Sequence, residues 1–289
     1  MLYDALIAPF AEFDFMRRAL VGVLAIALAG GPVGVFLMLR RMSLTGDAMA
    51  HGILPGAAVA YLVAGLSLPA MTVGGLIAGV TVAMLAGLVA RATALKEDAS
   101  LAAFYLLSLA LGVTIVSMRG SSVDLFHVLF GTVLALDDAA LLLLAGIATV
   151  TLVALALLYR PLVLECVDPN FLRSVSRAGT PTHLIFLGLV VLNLVGGFNA
   201  LGTLLAVGLM MLPAAASRFW SADISSMIAI AVAIGAGSGV VGLLLSYHAE
   251  LPAGPAIVLS AGAAYLLSLA GGREGGLFWL ALPRRHLEA

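Results

Sequence analysis

Asp47 and His51, four residues apart, carry side chains that bind metals and move protons. On a helix that spacing puts both on one face, with Cβ atoms roughly 5–6 Å apart. They lie in Arg40-Arg41-Met42-Ser43-Leu44-Thr45-Gly46-Asp47-Ala48-Met49-Ala50-His51-Gly52-Ile53-Leu54-Pro55-Gly56, in a chain that is 63% hydrophobic and only 10% charged. A carboxylate with an imidazole suits zinc, manganese or ferrous iron alike. Counted along a helix from Arg41, Asp47 is about 9 Å in and His51 about 15 Å. A hydrocarbon core about 30 Å thick would put His51 near its middle. An aspartate at membrane depth costs roughly 2.5–3.5 kcal/mol, so such groups are functional candidates.

The next residues add to the pair. Pro55 has no N–H, so the His51 carbonyl loses its helical partner. Gly52 and Gly56 loosen the same turn. A helix broken at Gly52, Pro55 and Gly56 is expected to turn a carbonyl toward a cavity. One helix still supplies too few ligands to enclose an ion. A twofold dimer with this helix on its axis supplies two carboxylates and two imidazoles. Two blander readings stand beside this one: an Asp–His hydrogen bond pinning two helices, or Asp47 as an interfacial residue near a helix start.

Other groups carry less. Asp124 and His127, three apart, are candidates to receive a metal at the outer surface, against an interfacial hydrogen-bonded pair. His248 and Glu250 are candidates to attract cations in an outer loop, against a merely solvated loop. Asp137 and Asp138 cap a helix. Met210 and Met211 are soft ligands in principle and packing residues by habit. One cysteine, Cys166, precludes an intrachain disulfide.

The elements that must position these groups are membrane helices. Mean hydropathy is +1.17, and a soluble domain carries about 25% charged residues. The fold class is all-α: one polytopic domain over 1–289 with eight or nine transmembrane helices. Apolar spans are expected near 17–39, 48–66, 70–91, 99–118, 138–158, 182–200, 202–219, 224–246 and 255–272. The boundary at 200–202 is weak, and those two spans also read as one broken unit. Residues 121–136 form a shorter apolar piece that lies at one surface or re-enters. Residues 1–16 carry Asp4, Glu12 and Asp14 rather than a basic stretch, and read as an interfacial segment and not a leader.

The distribution of basic residues orients the chain. With the N-terminus outside and nine spans, Arg40, Arg41, Arg91, Lys96, Arg160, Arg173, Arg177, Arg218, Arg273, Arg284 and Arg285 are cytoplasmic, 11 of the 14 Lys and Arg residues. Arg17, Arg18 and Arg119 are outside. The segment 159–181 and the tail 273–289 then face the cytoplasm. Within 159–181, Asp168 and Pro169 read as a helix start, and Gly179 and Pro181 as its stop. Phe171, Leu172 and Val175 share one face; Arg173 and Arg177 share another. That helix either rests on the membrane or docks a partner.

No Gly-x-x-x-x-Gly-Lys-Ser/Thr loop is present, so this chain hydrolyses no ATP through a P-loop. His-Glu-x-x-His and Gly-x-Ser-x-Gly motifs are missing as well, which leaves an enzyme reading little support.

The segment Leu39–Gly56 resembles the signature of the membrane permease subunit of bacterial ATP-binding-cassette importers for zinc, manganese or iron. Asp124–Gly131 and Leu209–Ala216 resemble two later patterns of that family, in order. The resemblance implies a homodimeric permease of the bacterial inner membrane with two cytoplasmic ATPase subunits. It further implies an extracytoplasmic metal-binding protein, no resident cofactor, a divalent metal as cargo and no nucleic acid. Asp47 and His51 would be metal-pathway ligands. Asp168, Phe171, Leu172, Arg173, Val175, Arg177 and Gly179 would form the ATPase-coupling segment, which runs a few residues longer than the family pattern. Competing readings are a secondary metal/proton transporter using the same Asp–His site and an intramembrane metal-dependent hydrolase.

Overall fold

The computed structural model describes Tyr3 and residues 6–65, 67–93, 97–118, 133–167 and 179–278. Among these residues there are helices and no strand. In chain order they are α1 (Ala8–Glu12), α2 (Asp14–Leu39), α3 (Ser43–Gly52), α4 (Leu54–Ala64), α5 (Leu68–Ala92), α6 (Glu97–Met118), α7 (Asp138–Val167), α8 (Gly179–Leu201), α9 (Thr203–Ser217), α10 (Ile224–Ala249) and α11 (Ala253–Gly271). A short 3₁₀ turn, Val133–Ala135, precedes α7.

Each of the nine apolar spans expected from the sequence is helical. Among the described residues seven segments are long and apolar enough to cross a membrane, against the eight or nine expected. The remaining two, Ala99–Ile115 and Thr203–Ser217, are apolar but shorter. The uncertain boundary at 200–202 is a break at Gly202, whose φ of +93° suits glycine and separates α8 from α9. Large apolar side chains such as Val63, Ile77, Leu107, Leu142, Leu157 and Leu267 are exposed, as a lipid-facing surface requires.

The two largest apolar cores lie toward opposite ends of the bundle. One gathers Phe36, Leu37, Met49, Ile53, Leu162, Phe186 and Leu194. The other gathers Met16, Val23, Leu144, Leu205, Leu243 and Ile257. Side-chain contacts fix which helix ends meet. Arg40 at the end of α2 reaches Glu165 near the end of α7. Tyr159 Oη and Ser225 Oγ, 2.8 Å apart, bring the start of α10 to the same end. At the opposite end Phe13 meets Tyr247, with ring centroids 5.7 Å apart. There too Arg18 pairs with Asp138 at 3.0 Å, and Asp137 caps α7 by accepting the Ala140 amide.

The turn from α2 into α3 is tightly specified. Arg41 has φ of +59°, a left-handed conformation that costs a non-glycine residue about 1–2 kcal/mol. Its amide donates to Met38 O, and the Met42 amide donates to Leu37 O. These two bonds make a Schellman motif, closed by the buried pair Leu37 and Met42.

Two boundaries differ from expectation. α7 continues past 158, through Pro161, to Val167. Leu162 is fully buried, so packing carries the helix across a residue that favours a break. Gly179 is the first residue of α8. Pro181 sits in the first turn of α8, where a missing N–H costs nothing. The connection is therefore shorter than 159–181. Asp168, Phe171, Leu172, Arg173, Val175 and Arg177 lie outside the described residues, as does 279–289 of the tail.

Candidate metal site

α3 holds Asp47 and His51 on one face, as the four-residue spacing requires. Asp47 Oδ1 is 3.8 Å from His51 Nε2. The side chains are 65% and 31% exposed, so this chain leaves the pair open. At that separation both groups can turn lone pairs to a common cation. Among the described residues no cluster of three or more His, Cys, Asp or Glu side chains could hold a metal. A closed coordination shell thus needs ligands from beyond the described residues, or water.

Helix α6 supports the site from one side. The Tyr105 ring lies 6.3 Å from the His51 ring, centroid to centroid. Ser108 Oγ donates to the Gly52 carbonyl at 2.7 Å, in a buried position. α9 supports it from another side. A Cβ built on Gly46 would come within 3.0 Å of Met210 Cε and 3.8 Å of Met211 Sδ. The two methionines therefore pack against the turn of α3 that carries Asp47. Two of the sequence segments behind the family resemblance, Leu39–Gly56 and Leu209–Ala216, thus touch in space.

The expected helix break is present and mild. α3 ends at Gly52 and α4 starts at Leu54, with only Ile53 between them. Ile53 keeps right-handed helical angles, φ −79° and ψ −18°. Pro55 sits in the first turn of α4, where proline is favoured. The Ile53 amide points back to the carbonyls of His51 and Met49. The captured carbonyl is that of Gly52, one residue beyond the one expected. Gly56 does more than loosen a turn: a Cβ there would lie 2.0 Å from Gly74 O of α5. Its bare backbone lets α4 and α5 touch.

The lesser candidates lie elsewhere. His248 is exposed in the last turn of α10, and Glu250 follows it with φ of +53°. Both sit with Tyr247 at the end of the bundle opposite Arg40. Asp124 and His127 lie outside the described residues.

One cluster was not expected. Arg40 is not a solvated charge; its side chain is 8% exposed and pairs with Glu165, 9% exposed, at 2.9 Å. An Arg40 Nη also meets His183 Nδ1. The guanidinium stacks over Phe186, 5.1 Å from the ring centroid. Because an arginine only donates, His183 Nδ1 is the acceptor in that contact. A sequence clue existed: Glu165 and His183 are ionisable residues that adjoin short apolar stretches, Leu162-Val163-Leu164 and Leu184-Ile185-Phe186.

A bundle of helices long and apolar enough to cross a membrane, with an open Asp–His pair on one of them, fits the membrane subunit of a transporter. The chain belongs to the ABC 3 transport family, whose model matches residues 12–272. It is a multi-pass permease of the plasma membrane. It is 32% identical over 257 residues to the manganese import system permease protein ScaB of Streptococcus parasanguinis, covering 89% of this chain and 90% of that one. A probable iron transport system membrane protein of Haemophilus influenzae is 27% identical, with 93% and 97% of the two chains covered. The fold matches a chain of PsaBC from Streptococcus pneumoniae, solved in complex with Fab, with a TM-score of 0.84 and 28% identity. That match covers 97% of this chain and 99% of the other.

Proposed function

We propose that this permease carries manganese, or a closely similar divalent metal, inward through Asp47 and His51, driven by ATPase subunits that bind its cytoplasmic face. The observation that carries the reading is the open Asp47–His51 pair, 3.8 Å apart on a membrane helix. Oxygen and imidazole ligands without thiolate suit a hard or borderline ion that must also be released. Relatives named for manganese import and for iron transport support a cargo of this kind.

Two copies of the chain complete the site across a twofold axis. The end with Arg40, Arg41, Arg160, Arg218 and Arg273 faces the cytoplasm, by the excess of basic residues there. The connection between α7 and α8 leaves from that end and is where ATPase subunits bind. An extracytoplasmic protein delivers the ion at the other end, where His248 and Glu250 are exposed.

The test is manganese uptake by vesicles holding the assembled permease and its ATPase. Uptake is expected when the ATPase and ATP face the vesicle lumen and the metal-delivering protein is outside, and none with a non-hydrolysable analogue. Uptake driven by a proton gradient alone overturns the reading.

A further inference from the structure

We propose that Arg40 and Glu165, with His183, are a positioning pair that carries movement of the α7–α8 helix ends to α3, and so to Asp47 and His51. The proposal rests on the ATP-driven reading of the same site.

The pair is poorly explained as a source of stability. Both side chains are more than nine-tenths buried. Desolvating two ions offsets most of their attraction, and apolar residues of similar size commonly hold a fold as well. Nor is the cluster saturated: Arg40 Nη1 and Glu165 Oε2 have no hydrogen-bond partner among the described residues.

Its placement explains it better. Glu165 lies two residues before the end of α7, and His183 lies in the first turns of α8. Arg40 holds both, so it grips the two roots of the connection that the ATPase reading assigns to docking. Arg40 is also the residue that ends α2 ahead of the Arg41–Met42 turn. That turn is rigid, because two backbone bonds and a left-handed residue define it. α3 starts at Ser43, and Asp47 follows within little more than a turn. A shift of Glu165 and His183 therefore pulls on Arg40 and rotates or translates α3 through a stiff joint. An apolar contact in the same place would slide, whereas a directional guanidinium–carboxylate pair transmits displacement.

The experiment uses the assembled importer in vesicles and counts manganese ions moved per ATP hydrolysed. Variants are Arg40→Gln, Glu165→Gln and the apolar pair Arg40→Met with Glu165→Leu, which removes both charges and leaves neither partner stranded. The ratio is expected to fall by at least about threefold in each, while the ATPase stays bound and ATP is still hydrolysed. The exchange Arg40→Glu with Glu165→Arg should recover part of the ratio. A wild-type ratio in the apolar pair overturns the proposal. So does a loss confined to the amount of assembled complex, with the remainder transporting at the wild-type ratio. Wild-type vesicles that take up no manganese with ATP overturn the importer reading instead, before any variant is compared.

Discussion

Ser108 of α6 donates its hydroxyl to the Gly52 carbonyl of α3 at 2.7 Å, and the pair is buried. This bond sits one residue from His51, at the interruption between α3 and α4. It ties the metal helix to a neighbour at the point where the helical ladder is weakest. Ser108→Ala leaves that carbonyl buried without the hydroxyl and should cost about 1 kcal/mol. Ser108→Thr keeps a hydroxyl and should cost less. Thermal unfolding of the purified permease checks both, and equal melting temperatures for Ala and wild type would remove the bond from the account.

Gly56 and Gly52 should respond unequally to the same added methyl. At Gly56 a Cβ would lie 2.0 Å from Gly74 O and 2.7 Å from Ala78 Cβ, and a backbone oxygen in a packed helix cannot swing aside. Gly56→Ala is expected to destabilise by about 1–3 kcal/mol or more. At Gly52 the nearest atom is Val82 Cγ1 at 3.4 Å, an ordinary contact. Gly52→Ala should therefore stay near wild type, within about 0.5 kcal/mol. Size-exclusion profiles and melting temperatures separate the two; a milder Gly56→Ala would mean that α4 and α5 are free to part.

Which features could be read in advance follows from the range of the interactions. Hydrophobic runs are local, and all nine expected spans are helices. The Asp47–His51 pair is local too, since four-residue spacing fixes its face. The bonds that set the site in place are not local. Ser108 reaches Gly52 across 56 positions, and Arg40 reaches Glu165 across 125. No periodicity signals such pairings, so Arg40 read only as one of the cytoplasmic basic residues. The boundaries near 158 and at Gly179 differ for another reason. Proline and glycine mark breaks only where packing agrees, and Leu162 and the first turn of α8 supply a different setting.

Asp223 begins α10 by accepting the Ser226 amide at 2.9 Å. That backbone hydrogen bond, helped by one with the Ser226 side chain, holds its carboxyl below the usual value of 3.8. A depressed carboxylate stabilises the fold fully above its unfolded pKa, and the contribution fades as pH falls through the folded one. Asp223→Ala should lower the melting temperature at neutral pH. The gap from wild type should narrow at acid pH, as the wild-type carboxyl gains its proton. A gap that is constant from neutral to strongly acid pH would show that the charge plays no part in the cap.

Asp47→Ala and His51→Ala test the site itself. Both side chains face outward from their own chain, and neither fills the core, so each change should alter stability by less than about 0.5 kcal/mol. Uptake of manganese should nevertheless be lost in each. A 3.8 Å pair acting on one ion loses its function when either ligand goes, so the double variant should be no worse than the singles. Asp47→Glu keeps a carboxylate but displaces it by one methylene, and should retain part of the activity. Uptake assays run beside melting curves on the same preparations separate a ligand from a helix-pinning contact. A pinning contact would lower the melting temperature in step with uptake. A ligand pair lowers uptake alone, and wild-type uptake in the double variant would move the ion path away from α3.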